Sequence, residues 1–126
     1  YIALIGVVFF LIQIILGTQV RQIVDEWLKS HDRADMNFLN FRFFISHRTA
    51  ALFLIIYAVC LSVASYFKKL KIKEIYLLVV LIVIEGLIGK ILADYNLPVA
   101  FQPLHLIVAM IGFGCLVRIV FQYKAV

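Results

Sequence analysis

Long apolar runs separated by short polar segments are the dominant pattern of this sequence. Four runs of 19 to 25 residues carry at most two charged or histidine side chains each: 2–20, 43–67, 75–93 and 99–123. At about 1.5 Å of rise per residue, a helix of this length crosses the ~30 Å hydrocarbon core of a bilayer. The runs lack the period-two alternation of membrane β-strands. The pattern therefore predicts four transmembrane helices, which we number 1 to 4.

The connections between the runs decide how the helices are arranged. Short segments after helices 2 and 3 force consecutive helices to run in opposite directions and to pack as neighbours. We therefore predict an all-α fold, a transmembrane four-helix bundle with up-down-up-down topology, formed by residues 1–126 as one domain. In such a bundle helices 2 and 4 are parallel and lie diagonally across the core.

Composition and charge place the bundle in a membrane and orient it. Hydrophobic residues make up 65% of the chain and the mean hydropathy is +1.07, values that are typical of integral membrane proteins. Residues 68–74, after helix 2, include four lysines and one glutamate, so the positive-inside rule places this turn and both termini in the cytoplasm. The net charge of +5 follows from this topology and requires no nucleic-acid partner. We expect a bacterial cytoplasmic membrane and contact with its lipid.

Histidine is the residue type on which the candidate chemistry depends. The sequence shows no glycine-rich phosphate loop, nucleophile elbow, zinc-ligand spacing or internal repeat. Cys60 and Cys115 lie within helices 2 and 4, where we interpret them as buried apolar thiols. His31 lies in a hydrophilic segment, where we expect a solvated side chain. His47 and His105 instead lie within transmembrane helices, where an ionisable side chain is costly and usually functional.

His47 and His105 share one depth in the predicted bundle. Each lies roughly 9 Å below the outer edge of its helix at the rise of an α-helix. Two imidazoles at one level on diagonal helices can bind the iron of a flat macrocycle from both sides, which predicts a bis-histidine haem site near the outer surface. The alternative is that each histidine forms a hydrogen bond to a neighbouring helix.

Small side chains near both histidines would make room for the edge of a macrocycle. The alternative is that they only permit close helix packing, which is common in membrane proteins. These residues are Gly17, Ala50, Ala51, Gly86, Gly89, Ala109 and Gly112.

Polar residues near the same level have more than one interpretation. Arg48 directly follows a candidate ligand and is the first candidate to contact a haem propionate. Glu85 should pair with an arginine or lysine, stay protonated, or relay protons. The other cations at this level would either contact a propionate or extend toward the membrane surface. These cations are Arg21, Arg42 and Lys90. We expect interhelical hydrogen bonds from three glutamines: Gln13, Gln19 and Gln102.

Three sequence elements resemble haem A synthase, and together they extend over essentially the whole chain. They are Leu16-Gly17-Thr18-Gln19-Val20-Arg21 in helix 1, His47-Arg48 at the head of helix 2, and Gln102-Pro103-Leu104-His105 in helix 4. Members of this family usually have eight transmembrane helices in two similar halves. The N-terminal half oxidises the C8 methyl of haem O to the formyl group of haem A, and the C-terminal half binds haem b.

Two departures indicate that this chain resembles the C-terminal, haem-b-binding half. The catalytic half carries a glutamate three residues before the histidine of helix 2, where this sequence has Phe44, and its outer loop often holds a cysteine pair that is missing here. The resemblance then implies no catalytic residue in this chain. It implies that His47 and His105 are the axial ligands of haem b, for electron transfer or structural support. Arg48 and Gln102 would be further haem-binding residues.

The same resemblance implies a partner for the chain. This partner would be the N-terminal four-helix half, which binds haem O as substrate in a synthase that serves cytochrome oxidase assembly. Two alternatives stay open. One is a self-contained four-helix module that pairs with a second copy of itself, and the other is an unrelated b-type membrane cytochrome with two histidine ligands.

Overall fold

The computed structural model describes residues 2–32, 35, 42–70, 72–95, 97–98 and 100–124. Residues 33–34 and 36–41 of the predicted segment between helices 1 and 2 lie outside the described residues, and so does Lys71 of the predicted lysine-rich turn. The described residues form four α-helices, each long and apolar enough to cross a membrane. This confirms the prediction of an all-α bundle of four membrane helices. The helices are α1 (Ile2–Trp27), α2 (Arg42–Phe67), α3 (Lys73–Asp94) and α4 (Phe101–Lys124).

The first helix is longer than the apolar run that predicts it. Helix α1 continues beyond the run to Trp27 because its polar extension is stabilised both within the helix and against the bundle. Arg21 Nε donates to Asp25 Oδ2 one turn later at 2.8 Å, a spacing that supports helical structure. Val24, in the same segment, is only 1% exposed and packs against α2 and the α3–α4 turn.

Each helix packs against two neighbours, so the four axes lie at the corners of a square. Helix α1 contacts α2 and α4, and α3 contacts the same two helices. Helices α2 and α4 are therefore diagonal to each other, as the up-down-up-down prediction requires. Because α2 and α4 run in the same direction, both begin at the same end of the bundle. We refer to this end as the histidine end, since it carries His47 and His105.

The opposite end of the bundle holds the densest core, and we refer to it as the packed end. A Cβ atom at Gly112 would lie 3.0 Å from Cζ of Phe10. A Cβ atom at Gly6 would overlap the ring of Tyr57. Glycine thus lets large rings lie directly against neighbouring helices, and close packing of this kind stabilises helix association in lipid. The buried members of this core are Ala3, Phe10, Leu54, Ala58, Leu61, Ile72, Ile75, Leu78, Ile82, Leu116 and Ile119.

Large apolar side chains also cover the outside of the bundle. Leu52, Phe53 and Leu106 are each more than half exposed, as expected for side chains that face lipid rather than water. Cys60 is exposed on the outer surface, whereas Cys115 is half-buried, and both are free thiols. The interpretation of both cysteines as buried is therefore wrong for Cys60. The physical reason is that an apolar residue of a membrane helix is as stable against lipid as against another helix.

The turn between α3 and α4 sets where the histidine of α4 lies. Leu97 has a positive φ of 60°, and its backbone N–H donates to the Leu92 carbonyl at 2.8 Å, which reverses the chain after α3. The side-chain amide of Gln102 donates to the Leu97 carbonyl at 3.0 Å. Pro103 is accommodated because the first turn of an α-helix needs no backbone N–H donors. His105 follows two residues later.

Candidate functional site

His47 and His105 approach the same level from opposite corners of the bundle. His47 is the sixth residue of α2, and His105 is the fifth residue of α4. Since both helices begin at the histidine end, the two side chains lie at a similar level of the bundle. Both residues are partly buried. The structure thus places the two residues that were predicted as ligands at the same end of two diagonal helices.

Helix α1 contacts the ring of His47 through two residues that are one turn apart. The amide Nε2 of Gln13 lies 3.4 Å from Nε2 of His47. A Cβ atom at Gly17 would lie 3.2 Å from Cε1 of His47, which is closer than most Cβ contacts in proteins. Glycine therefore allows the ring to lie directly against the backbone of α1. The expectation that Gln13 contacts a neighbouring helix through a hydrogen bond is confirmed.

Helix α3 contacts the ring of His105 in the same way. Glu85 Oε1 lies 3.1 Å from Nδ1 of His105, and the two side chains are only 20% and 26% exposed. A Cβ atom at Gly89 would lie 3.5 Å from Cε1 of the ring, an ordinary van der Waals distance. Among the described residues, Glu85 thus faces a histidine. This contact does not match pairing with an arginine or lysine, which was one of the three alternatives for Glu85, and the other two stay open.

These contacts reveal a residue spacing that α1 and α3 share. In α1, Gln13 precedes Gly17 by four positions, and in α3, Glu85 precedes Gly89 by the same spacing. Residues four apart lie on one face of a helix. Each pair therefore offers a polar group and an accessible backbone to the histidine of the next helix. The spacing is visible in the sequence, but its role follows only from the structure, in which the faces of α1 and α3 that carry these pairs point into the bundle.

Several polar atoms at this level are buried and have no hydrogen-bond partner among the residues that the structure describes. They are Gln13 Oε1, His47 Nδ1, Glu85 Oε2 and His105 Nδ1. The Nδ1 atom of His105 lies near Glu85, yet the two groups are not aligned for a hydrogen bond. An unpaired buried polar atom costs about 1–3 kcal/mol. A cluster of four such atoms is therefore the arrangement expected of a site that binds a further group.

The donor chemistry at this level is compatible with a haem held by two histidines. Imidazole is a ligand of haem iron, and His47 and His105 would approach such a group from diagonal helices. Of the small residues expected near the ring, Gly17 and Gly89 lie against the imidazoles. Gly112 instead packs against Phe10, and a Cβ atom at Gly86 would meet no atom within 4 Å. In the described part of the chain, no group of three or more His, Cys, Asp or Glu side chains is placed to hold a metal ion.

Gln102 links α4 to the extended end of α1. Arg21 donates a hydrogen bond to Gln102 Oε1 and is also paired with Asp25. Together with the bond from Gln102 to the Leu97 carbonyl, this contact confirms Gln102 as an interhelical hydrogen-bonding residue. A contact between Gln102 and haem, which the family resemblance implies, stays a prediction.

Two of the cations considered for the haem propionates differ in their surroundings. Lys90 Nζ lies 2.6 Å from Asp94 Oδ2 on its own helix. Arg48 is exposed and forms no ion pair with a residue that the structure describes. Its charge is therefore available to an external anion, and Arg48 keeps its place as the first candidate for a propionate contact.

The third histidine, His31, lies outside this site. Its ring is exposed beyond the end of α1 and stacks on Trp27 with 4.5 Å between ring centroids. The Nδ1 atom lies 3.2 Å from the Trp27 carbonyl oxygen. The expectation of a solvated side chain is confirmed, and His31 provides a control residue for experiments on the other two.

No family model matches this chain, and the comparisons with curated proteins and with solved structures also found no match. The resemblance to haem A synthase therefore stays a prediction from three sequence elements. The function has to be argued from the two histidines, their partners and the membrane setting.

Proposed function

We propose that this chain is a haem-b-binding membrane module in which His47 and His105 are the axial ligands of the iron. The observation that carries the proposal is the presence of two partly buried histidines at one level of two diagonal helices in a membrane bundle. Ionisable side chains at such a position are costly and mark functional sites.

The side chains of the chain have separate roles in the proposed site. His47 and His105 would hold the haem through its iron, with imidazole nitrogen as the ligand. Gly17 and Gly89 let the two rings lie against α1 and α3. Arg48 offers its guanidinium group to a propionate. A bound haem b supplies one-electron chemistry, so the module serves electron transfer or structural support.

In this proposal the chain is the C-terminal half of a haem A synthase. The three sequence elements in helices 1, 2 and 4 support the assignment. Phe44, in the position of the catalytic glutamate, packs against Val24 in an apolar cluster, so this position offers no carboxylate to a substrate. Oxidation of the C8 methyl of haem O is therefore assigned to the N-terminal half, which would bind that substrate.

An independent b-type electron carrier is the second candidate function. The observation that favours it is that one chain supplies both histidines and all four helices around them, so the site needs no other half. A homodimeric synthase is a variant of the first proposal, and each copy would then have to accept haem O.

Absorption spectroscopy of the detergent-purified chain tests the haem site. We expect the reduced-minus-oxidised spectrum of a low-spin b-type haem and about one haem per chain by pyridine haemochrome analysis. His47→Ala and His105→Ala should each abolish this spectrum, whereas His31→Ala should leave it intact because that ring is exposed. A colourless wild-type chain from cells with adequate haem, or an unchanged spectrum in either helix variant, would refute the site.

Haem extraction from cells that make haem O separates the enzymatic alternatives. Co-expression with the N-terminal half should yield haem A, and neither half alone should do so. Haem A made by cells with this chain alone would favour the homodimer. Haem binding without haem A under either condition would favour the independent carrier.

A further inference from the structure

The two candidate ligands have chemically different partners. His47 lies beside the amide of Gln13, whereas Nδ1 of His105 lies 3.1 Å from the carboxyl oxygen Oε1 of Glu85. Glu85 lies near the middle of α3, which is long and apolar enough to cross a membrane. A carboxyl group at such depth is costly, and its presence indicates a function.

The cations of α3 and α4 do not account for this carboxyl group. Lys90 is paired with an aspartate of its own helix at 2.6 Å, and Arg118 is paired with Glu74 at 2.7 Å. Among the residues that the structure describes, His105 supplies the basic group within ion-pair distance of Glu85. The second carboxyl oxygen, Oε2, is buried without a hydrogen-bond partner. The geometry therefore indicates that the carboxyl group of Glu85 interacts with His105.

We propose that Glu85 is a positioning residue for His105, an inference that rests on the haem function proposed above. Glu85 accepts a hydrogen bond from Nδ1–H of His105, which holds the ring in the tautomer whose Nε2 atom binds the iron. A histidine ligand commonly donates its second ring N–H to a carboxylate, which orients the ring and raises its basicity. A more basic ligand favours ferric iron, so Glu85 lowers the reduction potential of the site.

The local geometry of α3 suits this role. Gly89, one turn after Glu85, lets the imidazole lie against the helix. The ring atom nearest to a Cβ atom added at Gly89 is Cε1. The Nδ1 atom of the same ring lies at the carboxyl group. The 3.1 Å contact is not aligned as a hydrogen bond, but the terminal torsion of glutamate is soft. The proposed hydrogen bond therefore requires a rotation of the carboxyl group about this torsion.

The other hairpin offers a matched comparison within the same chain. Gln13 has the equivalent position in its helix, four residues before Gly17, but its amide lies 3.4 Å from Nε2 of His47, whereas Glu85 lies at Nδ1 of His105. A neutral amide is a weaker hydrogen-bond partner than a carboxylate. Gln13 should therefore influence the bound haem less than Glu85 does, and the two axial ligands should be inequivalent, with His105 the stronger electron donor.

Substitutions at Glu85 in the purified, haem-loaded protein test the positioning role. Glu85→Gln preserves the side-chain size and an acceptor oxygen but weakens the hydrogen bond. It should retain haem, raise the midpoint potential in a redox titration and shift the low-spin electron paramagnetic resonance signal. Glu85→Ala removes the acceptor and should weaken haem retention by roughly 10- to 100-fold.

Two control variants separate the contact from a general effect of charge or polarity. Gln13→Ala removes the neutral partner of the other histidine and should change the midpoint potential less than either Glu85 variant. Glu26→Gln removes a negative charge from an exposed pair with Lys29 and should leave both the potential and the resonance signal unchanged.

The outcomes distinguish this inference from the haem function itself. If the wild-type chain binds no haem, both proposals fail. If it binds haem but Glu85→Gln has the wild-type potential and resonance signal, only the positioning role is overturned. The positioning role is supported only if Glu85→Gln still binds haem and shifts the midpoint potential and the resonance signal. A loss of haem that results from misfolding of Glu85→Ala would not produce this result.

Discussion

The hairpins α1–α2 and α3–α4 carry equivalent histidines in different surroundings. In the first hairpin, a Cβ atom added at Gly17 would lie 3.2 Å from the ring of His47, and an amide lies beside the same ring. In the second, a Cβ atom added at Gly89 would lie 3.5 Å from the ring of His105, and a carboxyl group lies beside it. One helical frame thus holds two side chains at one level, while the neighbouring helix sets the steric and electronic environment of each.

The largest difference between the hairpins is expected from a methyl group added beside each ring. Gly17→Ala places a Cβ atom 3.2 Å from Cε1 of His47, so the ring must shift, and overpacking of this kind costs about 1–3 kcal/mol. Gly89→Ala meets its ring at an ordinary contact distance and should be nearly neutral. In a haem titration, Gly17→Ala should bind roughly 5- to 100-fold more weakly. Equal losses in both variants would contradict the steric difference.

A carboxyl group introduced into the first hairpin should make the two histidines more alike. Gln13→Glu changes the side-chain volume very little and places a carboxyl group beside His47. The midpoint potential should fall, in the opposite direction to Glu85→Gln, and the double variant should return toward the wild-type value. Redox titration of the three variants measures these shifts. An unchanged potential in Gln13→Glu would show that the electronic difference between the hairpins has another cause.

The contact that joins the hairpins at the histidine end should affect stability more than the haem. Gln102→Ala removes the hydrogen bonds to Arg21 and to the Leu97 carbonyl, which should lower the free energy of unfolding by about 1–2 kcal/mol. Thermal unfolding in detergent, followed by circular dichroism, measures the loss. Gln19→Ala is the matched control on α1. A changed haem spectrum in Gln102→Ala would instead support the haem contact that the family resemblance implies.

The smallest effect is expected from the cations at the histidine end. Arg48 has no ion-pair partner among the described residues, whereas Lys90 is paired with Asp94. Arg48→Gln should weaken haem binding by roughly two- to fivefold, because an exposed charge contact contributes little, and Lys90→Gln should leave it unchanged. Haem titration of both variants at low and high salt measures these affinities. High salt screens exposed charges, so it should reduce the difference in haem affinity between the two variants. A larger loss for Lys90→Gln would assign the propionate contact to α3.

Much of the fold follows from the sequence because a bilayer allows few structures for an apolar chain. Runs of about 20 apolar residues form helices there, and short turns make neighbouring helices antiparallel. These constraints place His47 and His105 near one end of two diagonal helices before any side-chain contact is known. These constraints do not predict the polar extension of α1 to Trp27, because hydropathy indicates the membrane span and not the full length of a helix.

The contacts of each histidine are decided by the tertiary structure. Every helix is apolar around most of its circumference, so the periodicity of the sequence does not reveal which face points inward. Glu85 faces inward and Cys60 faces outward, and the neighbouring residues in the sequence do not predict either orientation. Gln13 and His47 are 34 positions apart, and their contact depends on how α1 and α2 are rotated about their axes.

The sequence alone therefore determines four membrane helices and the common depth of two histidines. The partner of each histidine, an amide in one hairpin and a carboxyl group in the other, follows only from the rotation of the helices. That rotation is set by close contacts such as Phe10 against Gly112 at the packed end, because in lipid the fit between large and small side chains, rather than exclusion from water, selects the faces that meet.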